Sequence, residues 1–241
     1  MNSARVHEPL TLRRYVSSVE VAAYFDLDGT LLDASSEKTL TGVLLKRRPW
    51  RFPLTVSMWS MRCIGSLLIG RTWYDSARNR GHFTFSSWKE LETMAEEIVN
   101  NKLANKVPQE SIDRIAWHKE QGHRIVIVSA TIAPMAEAMG RLLGADTVHA
   151  SGPSSRTGRL SGSEKGWKVP RSKGKISIVK KDAEENGHDL SKCWAYGNSH
   201  ADIHFMTICG NAMAVNPDSG LSKRADQEGW EKVSWKISPL Q

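Results

Sequence analysis

Two hydrophobic periodicities divide this chain. Val19 to Leu27 (VEVAAYFDL) is a short apolar run of strand formers that ends in Asp28-Gly29-Thr30, which predicts a buried strand followed by a turn. From about Ser35 to Lys119 the spacing becomes helical. Lys38 to Leu45 predicts a helix that Pro49 and Pro53 break. Arg51 to Ile69 is apolar at helical spacing, and Trp73 to Arg80 and Trp88 to Leu103 are amphipathic, the latter with Ser86-Ser87 as N-caps. Ser111 to Glu120 is another helix, closed by Gly122.

The period then switches. His123 to Ser129 (HRIVIVS) is dominated by β-branched residues, the mark of a central parallel strand. Helices over Pro134 to Leu143, Lys175 to Asn186, Asp202 to Cys209 and Ser219 to Glu228 alternate with strands at Asp146 to Ala150, Lys192 to Tyr196 and Asn211 to Val215. Ser151 to Val169, with its Thr157-Gly158 turn, predicts a hairpin or flap. This alternation predicts an α/β chain: a Rossmann-like, doubly wound parallel sheet with an inserted all-helical cap. The boundaries follow: a tail at 1–17, a core at 18–36 and 118–235, the cap at 37–117 and a short tail at 236–241.

Composition narrows the partners. The 33 Lys+Arg against 26 Asp+Glu give a net charge of +7, which favours anionic partners. Three scattered cysteines fit neither a disulfide scaffold nor a C-x-x-C zinc site, and they suit a reducing compartment. Met1 to Glu20 is polar and lacks the apolar stretch of a signal peptide, so a cytoplasmic protein is expected. Arg62 and several serines interrupt Pro53 to Gly70, which reads as a buried or interfacial helix and not as a membrane span. No zinc spacing, helix-turn-helix or aromatic RNA-binding motif is present, so no nucleic acid is expected.

Three polar clusters stand at predicted strand ends, where parallel α/β sheets bind ligands. Asp26 and Asp28 leave the first strand two residues apart. Their repulsion implies a hard, oxygen-loving cation such as Mg²⁺. Ser129 and Ala130 end the second strand just before a helix, where hydroxyl and N–H groups can hold phosphate oxygens. Gly197-Asn198-Ser199-His200-Ala201-Asp202 ends a third strand with carboxylate and amide oxygens suited to a metal.

Asp26-Leu27-Asp28-Gly29-Thr30, Ser129, a lysine in Ser172-Lys173-Gly174-Lys175-Ile176, and Asn198 to Asp202 resemble the four ordered motifs of the haloacid dehalogenase superfamily. The helical insertion, the hairpin and Ala214-Val215-Asn216-Pro217-Asp218 are similar to its subfamily IB hydrolases, both phosphoserine phosphatase-like and phosphatidylglycerophosphatase C-like. The resemblance implies a Mg²⁺-dependent phosphomonoester hydrolase working through an aspartyl-phosphate. Asp26 would be the nucleophile and Asp28 the general acid, then base. Lys175, or alternatively Lys173, would neutralise charge on the nucleophile and phosphoryl group. Ser129, Ala130, Gly29 and Thr30 would hold the phosphate, with Thr30 supporting the loop. Asp26, the Asp28 carbonyl, Asn198 and Asp202 would hold Mg²⁺. Asn198 departs from the usual Asp, which implies weaker metal binding or, as a competing reading, an inactive phosphate- or anionic-membrane-binding protein.

The cap would select the substrate. Ser35 and Arg80 are its candidate contacts. Trp50, Met58, Trp59, Met61 and Trp73 are expected to pack between cap helices. A sharper reading takes Lys46, Arg47, Arg48 and Arg51 with Trp50, Phe52 and the 53–70 segment as a surface for anionic lipid, which points to a small or amphiphilic phosphate ester and peripheral membrane contact. Phosphoserine is the rival substrate. The resemblance implies a substrate-binding glutamate near Asp33-Ala34-Ser35-Ser36-Glu37, where Ser35 aligns best and Asp33 or Glu37 could substitute.

Overall fold

The computed structural model describes residues 20–73, 76, 79–153, 156, 158–160 and 172–237. Six parallel strands carry the fold: β1 (Ala22–Phe25), β2 (Arg124–Ile132), β3 (Thr147–Ser151), β4 (Trp194–Gly197), β5 (Asn211–Val215) and β6 (Glu231–Val233). Their spatial order is β3-β2-β1-β4-β5-β6, each pair parallel. This is a doubly wound order, and its direction reverses beside β1, opening a crevice at the carboxyl ends of β1 and β4.

Alternation in β1 explains why both faces are buried. Ala22 and Tyr24 join Val126, Val128, Val179, Phe205 and Leu221 in one apolar cluster. Ala23 and Phe25 join Ile125, Ile127, Met135 and Met139 in the other.

Eight α-helices are described. Between β1 and β2 lie α1 (Ser36–Arg47), α2 (Phe52–Leu68), α3 (Trp88–Ile98) and α4 (Gln109–Glu120). After β2 come α5 (Ala133–Leu143), α6 (Lys173–Asn186), the single turn α7 (Ile203–Met206) and α8 (Ser219–Glu228). Ser87 caps α3 as its sequence predicts, its hydroxyl accepting from Glu90 N at 3.1 Å. Leu40 and Leu44 of α1 and Leu91 and Ile98 of α3 belong to the same apolar cluster as Phe25 and Met135, so the inserted helices share a core with the sheet.

Several expectations change. Only Pro49 marks the break after α1; Pro53 sits in the first turn of α2, where its missing N–H costs no helical bond. Strand β2 runs on past Ser129 to Ile132, with a register shift between Val128 and Ile132. β6 was not foreseen, because three residues with two exposed charges at a sheet edge carry no apolar period. The expected packing of tryptophans and methionines between cap helices is wrong for three of the five: Trp50, Met61 and Trp73 are exposed. Arg51 belongs to no basic surface, since it is buried and donates from Nη2 to Thr84 O at 2.9 Å. The tail at 1–17, most of the flap and part of the helix expected over 73–80 lie outside the described residues. Of the flap's described residues, Ser151 ends β3 and Leu160 pairs with the segment before α3: Phe85 N donates to Leu160 O and Leu160 N to Ser86 O, both at 2.8 Å.

Candidate active site

The carboxyl ends of β1, β2 and β4 open into a cavity of about 1060 Å³. Asp26, Asp28, Ser129, Ala130, Lys175, Asn198 and Asp202 all line it, as do Ser35 and Arg80 from the insertion. Residues up to 176 positions apart in sequence (26 to 202) therefore meet because three parallel strands end side by side.

Lys175 stands at the centre. Its Nζ donates to Asp26 Oδ1 at 2.5 Å and to Asp202 Oδ1 at 2.6 Å, and all three side chains are nearly or wholly buried. Burial by itself would lower the lysine pKa, but the two carboxylates outweigh it and hold the ammonium charged. Asp26 shows the converse balance. Its desolvation raises the pKa and exceeds the opposing pull of Lys175, while Asp202 and Asp28 push it further up. The alternative lysine, Lys173, is exposed in the first turn of α6 and does not reach the cavity. Ser172, just before it, holds φ +47°, a strained conformation for a residue with a side chain.

Asp28 sits against the start of α1. Ser36 N donates to both of its oxygens at 3.1 Å, and the Ser35 hydroxyl lies at 3.5 Å, too long for a strong bond. Burial nonetheless raises its pKa to about 6, against the lowering effect of Ser36. A carboxyl near that value exchanges protons readily around neutrality.

Asp202 is fixed by its own loop. Oδ2 accepts from Ser199 Oγ at 2.9 Å, Ser199 N at 3.1 Å and Asn198 N at 3.3 Å, a capping box at the turn after β4. Gly197 makes this possible, because a Cβ there would lie 2.5 Å from Asp202 Cβ. Gly29 does not line the cavity but supports it from beneath. It holds φ +85°, and a Cβ would lie 2.1 Å from Asn198 Nδ2, so the first and last clusters touch only because this residue is glycine. Thr30 is wholly buried behind the loop, its hydroxyl without a partner among the described residues, so it faces no ligand space. Asn216 ties the loop down, donating from Nδ2 to Gly29 O at 3.1 Å and to Trp235 O at 2.8 Å.

The donor set suits a hard cation. Asp26, Asp28, Asn198 and Asp202 offer only oxygen. Three carboxyl groups, of Asp26, Asp28 and Asp202, stand around one ammonium, Lys175, and a divalent ion there would favour their ionised forms. Among the described residues no three His, Cys, Asp or Glu side chains gather as a metal cluster. The Asn198 amide adds one further oxygen to this set.

Sequence reasoning named Arg80 and Glu37 on this wall and missed Thr131, Trp59 and His82. Arg80 is buried and donates from Nη2 to Glu37 Oε2 at 2.8 Å and Ala130 O at 2.6 Å, which joins the insertion to the end of β2. Thr131 N donates to Ser129 Oγ at 3.2 Å, and the Thr131 and Ser36 hydroxyls pair at 2.8 Å. Trp59 and His82 also line the cavity. Burial holds the His82 pKa below its ordinary value. No periodicity marks these residues, because they reach the cavity through loop and helix packing.

Known proteins share the family and the fold of this chain. The haloacid dehalogenase-like hydrolase family matches residues 23–207. A phosphoserine phosphatase of Mycobacterium tuberculosis, SerB1, is 28% identical over 225 residues, covering 90% of this chain and 71% of its own. A Bordetella pertussis protein of unknown function shares the fold with a TM-score of 0.75 at 23% identity, over 89% of this chain and 98% of that one. A phosphoserine phosphatase solved as an analogue of its phospho-aspartyl intermediate follows at a TM-score of 0.61 and 18% identity, over 92% and 95%.

Proposed function

The chain belongs to the haloacid dehalogenase-like hydrolases and is a phosphatase of that family, and from that premise we propose that it hydrolyses phosphate monoesters through an aspartyl-phosphate on Asp26. The observation that carries this reading is the Lys175 ammonium between Asp26 and Asp202, beside Asp28 and Ser129, at the ends of three adjacent strands. In the proposed reaction an Asp26 oxygen attacks phosphorus and the ester oxygen leaves with a proton from Asp28. Asp28 then takes a proton from water, which attacks the phosphorus and frees Asp26 and inorganic phosphate. Lys175 positions Asp26 and opposes its protonation, and Ser129 Oγ donates to a phosphoryl oxygen. Asp26, the Asp28 carbonyl, Asn198 and Asp202 would hold Mg²⁺, which supplies positive charge for the phosphoryl oxygens.

The cavity volume lies just above the range of about 300–1,000 Å³ for ordinary ligand sites. This favours an ester larger than a phosphorylated amino acid. Phosphoserine remains the second reading because of one pair: Glu37 and Arg80 face the cavity together and offer partners for an amine and a carboxylate. Asp33 offers none there, being exposed and accepting from Ile237 N at 3.3 Å. A phosphate-release screen over phosphoserine, phospho-sugars, nucleotides, histidinol phosphate and lipid phosphates, with Mg²⁺ and with chelator, tests both. Release that needs Mg²⁺ and is lost in Asp26→Asn supports the reaction. Release that persists in Asp26→Asn, or no release from any ester, overturns it.

A further inference from the structure

Helix α1 begins without the cap its sequence offers. Ser35 stands at the N-cap position, but its side chain makes no capping bond. The first N–H of the helix, that of Ser36, donates instead to both oxygens of Asp28 at 3.1 Å. The first turn of the inserted helices therefore aims the carboxyl group that carries the proton. Its direction depends on what holds that turn.

Two neighbouring ties run from this turn to the end of β2. One is charged: Arg80 Nη2 bridges Glu37 Oε2 and Ala130 O at 2.8 and 2.6 Å. The other is a pair of hydroxyls, Ser36 Oγ and Thr131 Oγ1, 2.8 Å apart and both buried. A buried hydroxyl pair is directional, and removing one partner leaves the other with an unmet hydrogen bond. The charged tie grips the Glu37 side chain, whereas the hydroxyl tie grips the residue whose N–H meets Asp28.

Thr131 is itself held in place. Strand β2 changes register between Val128 and Ile132. Within that stretch Ala130 O also accepts from Ser151 Oγ at 2.7 Å. Thr131 N donates to Ser129 Oγ at 3.2 Å, which occupies a lone pair of that hydroxyl and leaves its O–H to donate elsewhere. Thr131 thus meets the phosphate-binding serine through its main chain and the residue that aims Asp28 through its side chain.

We propose that Thr131 is a positioning residue for proton transfer to the leaving oxygen: its hydroxyl, through Ser36, sets the first turn of α1 so that Ser36 N faces both oxygens of Asp28. The proposal rests on the phosphatase reading above, in which Asp28 protonates the departing alcohol as its P–O bond breaks. Thr131 lines the cavity, but its hydroxyl is engaged by Ser36, so it acts through that residue and not on the substrate.

Two esters of similar shape separate these roles. p-Nitrophenyl phosphate expels a stable phenolate and needs little protonation, whereas benzyl phosphate expels a strongly basic alkoxide and needs the proton from Asp28. For both, kcat/KM reports the step that expels the alcohol. Thr131→Val removes the hydroxyl at nearly constant shape and keeps the main-chain N–H to Ser129. It should lower kcat/KM at least about tenfold for benzyl phosphate and less than about threefold for p-nitrophenyl phosphate. Asp28→Asn should show the same selectivity, only larger. Thr131→Ser, which keeps the hydroxyl, should stay within about threefold of wild type on both esters. Ser36→Ala keeps its N–H and loses its hydroxyl; it should repeat the Thr131→Val pattern, and it carries the test if Thr131→Val does not fold.

Equal losses on both esters would mean that Thr131 contacts the phosphoryl group or only supports the fold, and would overturn the proposal. So would wild-type rates in Thr131→Val, or a Thr131→Ser variant as slow as Thr131→Val. An unselective Thr131→Val beside a selective Asp28→Asn counts against the positioning alone. Cleavage of neither ester by the wild type counts against the phosphatase reading and removes the positioning with it.

Discussion

Replacing Lys175 with methionine keeps an unbranched side chain of nearly the same length and removes the charge. The ammonium contacts Asp26 and Asp202 at 2.5 and 2.6 Å, so the variant buries two carboxylates with no counter-charge between them. One of them must take up a proton to stay buried. At pH 7 that costs about 4 kcal/mol, at about 1.4 kcal/mol per pH unit above an unfolded carboxyl pKa of about 3.9. Asp26 already stands at about 7 in the wild type, so most of this proton cost is present there. The difference is set by leaving both buried carboxylates without their ammonium, about 3 kcal/mol, the low end for breaking a buried pair. The sign follows from the raised folded-state pKa. Stability from such a group is complete below the unfolded pKa and is lost as pH rises through the folded value. The gap between wild type and variant should therefore narrow on acidification, mainly above the wild-type Asp26 pKa of about 7, below which that group is protonated in both proteins. Urea denaturation in EDTA at several pH values measures it, and phosphatase activity should be lost in parallel. A variant as stable as wild type at pH 7, or a gap that does not change with pH, refutes the reasoning.

Three further outcomes are expected. Gly29→Ala forces a residue with a side chain to φ +85° and drives its Cβ into Asn198; thermal denaturation should show a loss of at least about 1–2 kcal/mol, and the Mg²⁺ concentration for half-maximal activity should rise. Asn198→Asp adds a charge to the expected metal donors, so a Mg²⁺ titration of activity should show half-saturation at about tenfold lower concentration, or about 1.4 kcal/mol. His118 is wholly buried, its Nε2 2.8 Å from the Tyr196 hydroxyl and its Nδ1 2.8 Å from His123 Nδ1, and burial lowers its pKa to about 3. A histidine held neutral in the fold charges on unfolding, so its contribution falls as pH drops below about 6.5, by about 1.4 kcal/mol per unit. Chelated denaturation curves at pH 4–7 should be flatter by that slope in His118→Gln.

The sheet was legible because its strands carry the signal of double burial: HRIVIVS and VAAYF are apolar on both faces, and their ends fall where polar clusters begin. The site followed from the same property, since Asp26, Ser129 and Asn198 each stand at or near a strand end and the parallel order brings those ends together. Lys175 was harder to assign than the strand-end residues. Position alone did not separate it from Lys173; the turn of α6 does, burying one and exposing the other. The insertion was legible as helices and not as packing. Helical spacing in α2 shows that a face is apolar, but not whether another element covers it. The exposure of Trp50, Met61 and Trp73 and the burial of Arg51 depend on how α1 and α3 pack, which leaves no mark on local sequence.

The central claim is a covalent phosphoryl group on Asp26. Acid quenching during turnover, borohydride reduction and peptide mapping by mass spectrometry test it directly, because reduction of an aspartyl-phosphate yields homoserine. Homoserine is expected at position 26 alone, absent from Asp26→Asn and from protein quenched without substrate. Turnover with an unmodified Asp26, or with the modification at another residue, would contradict it.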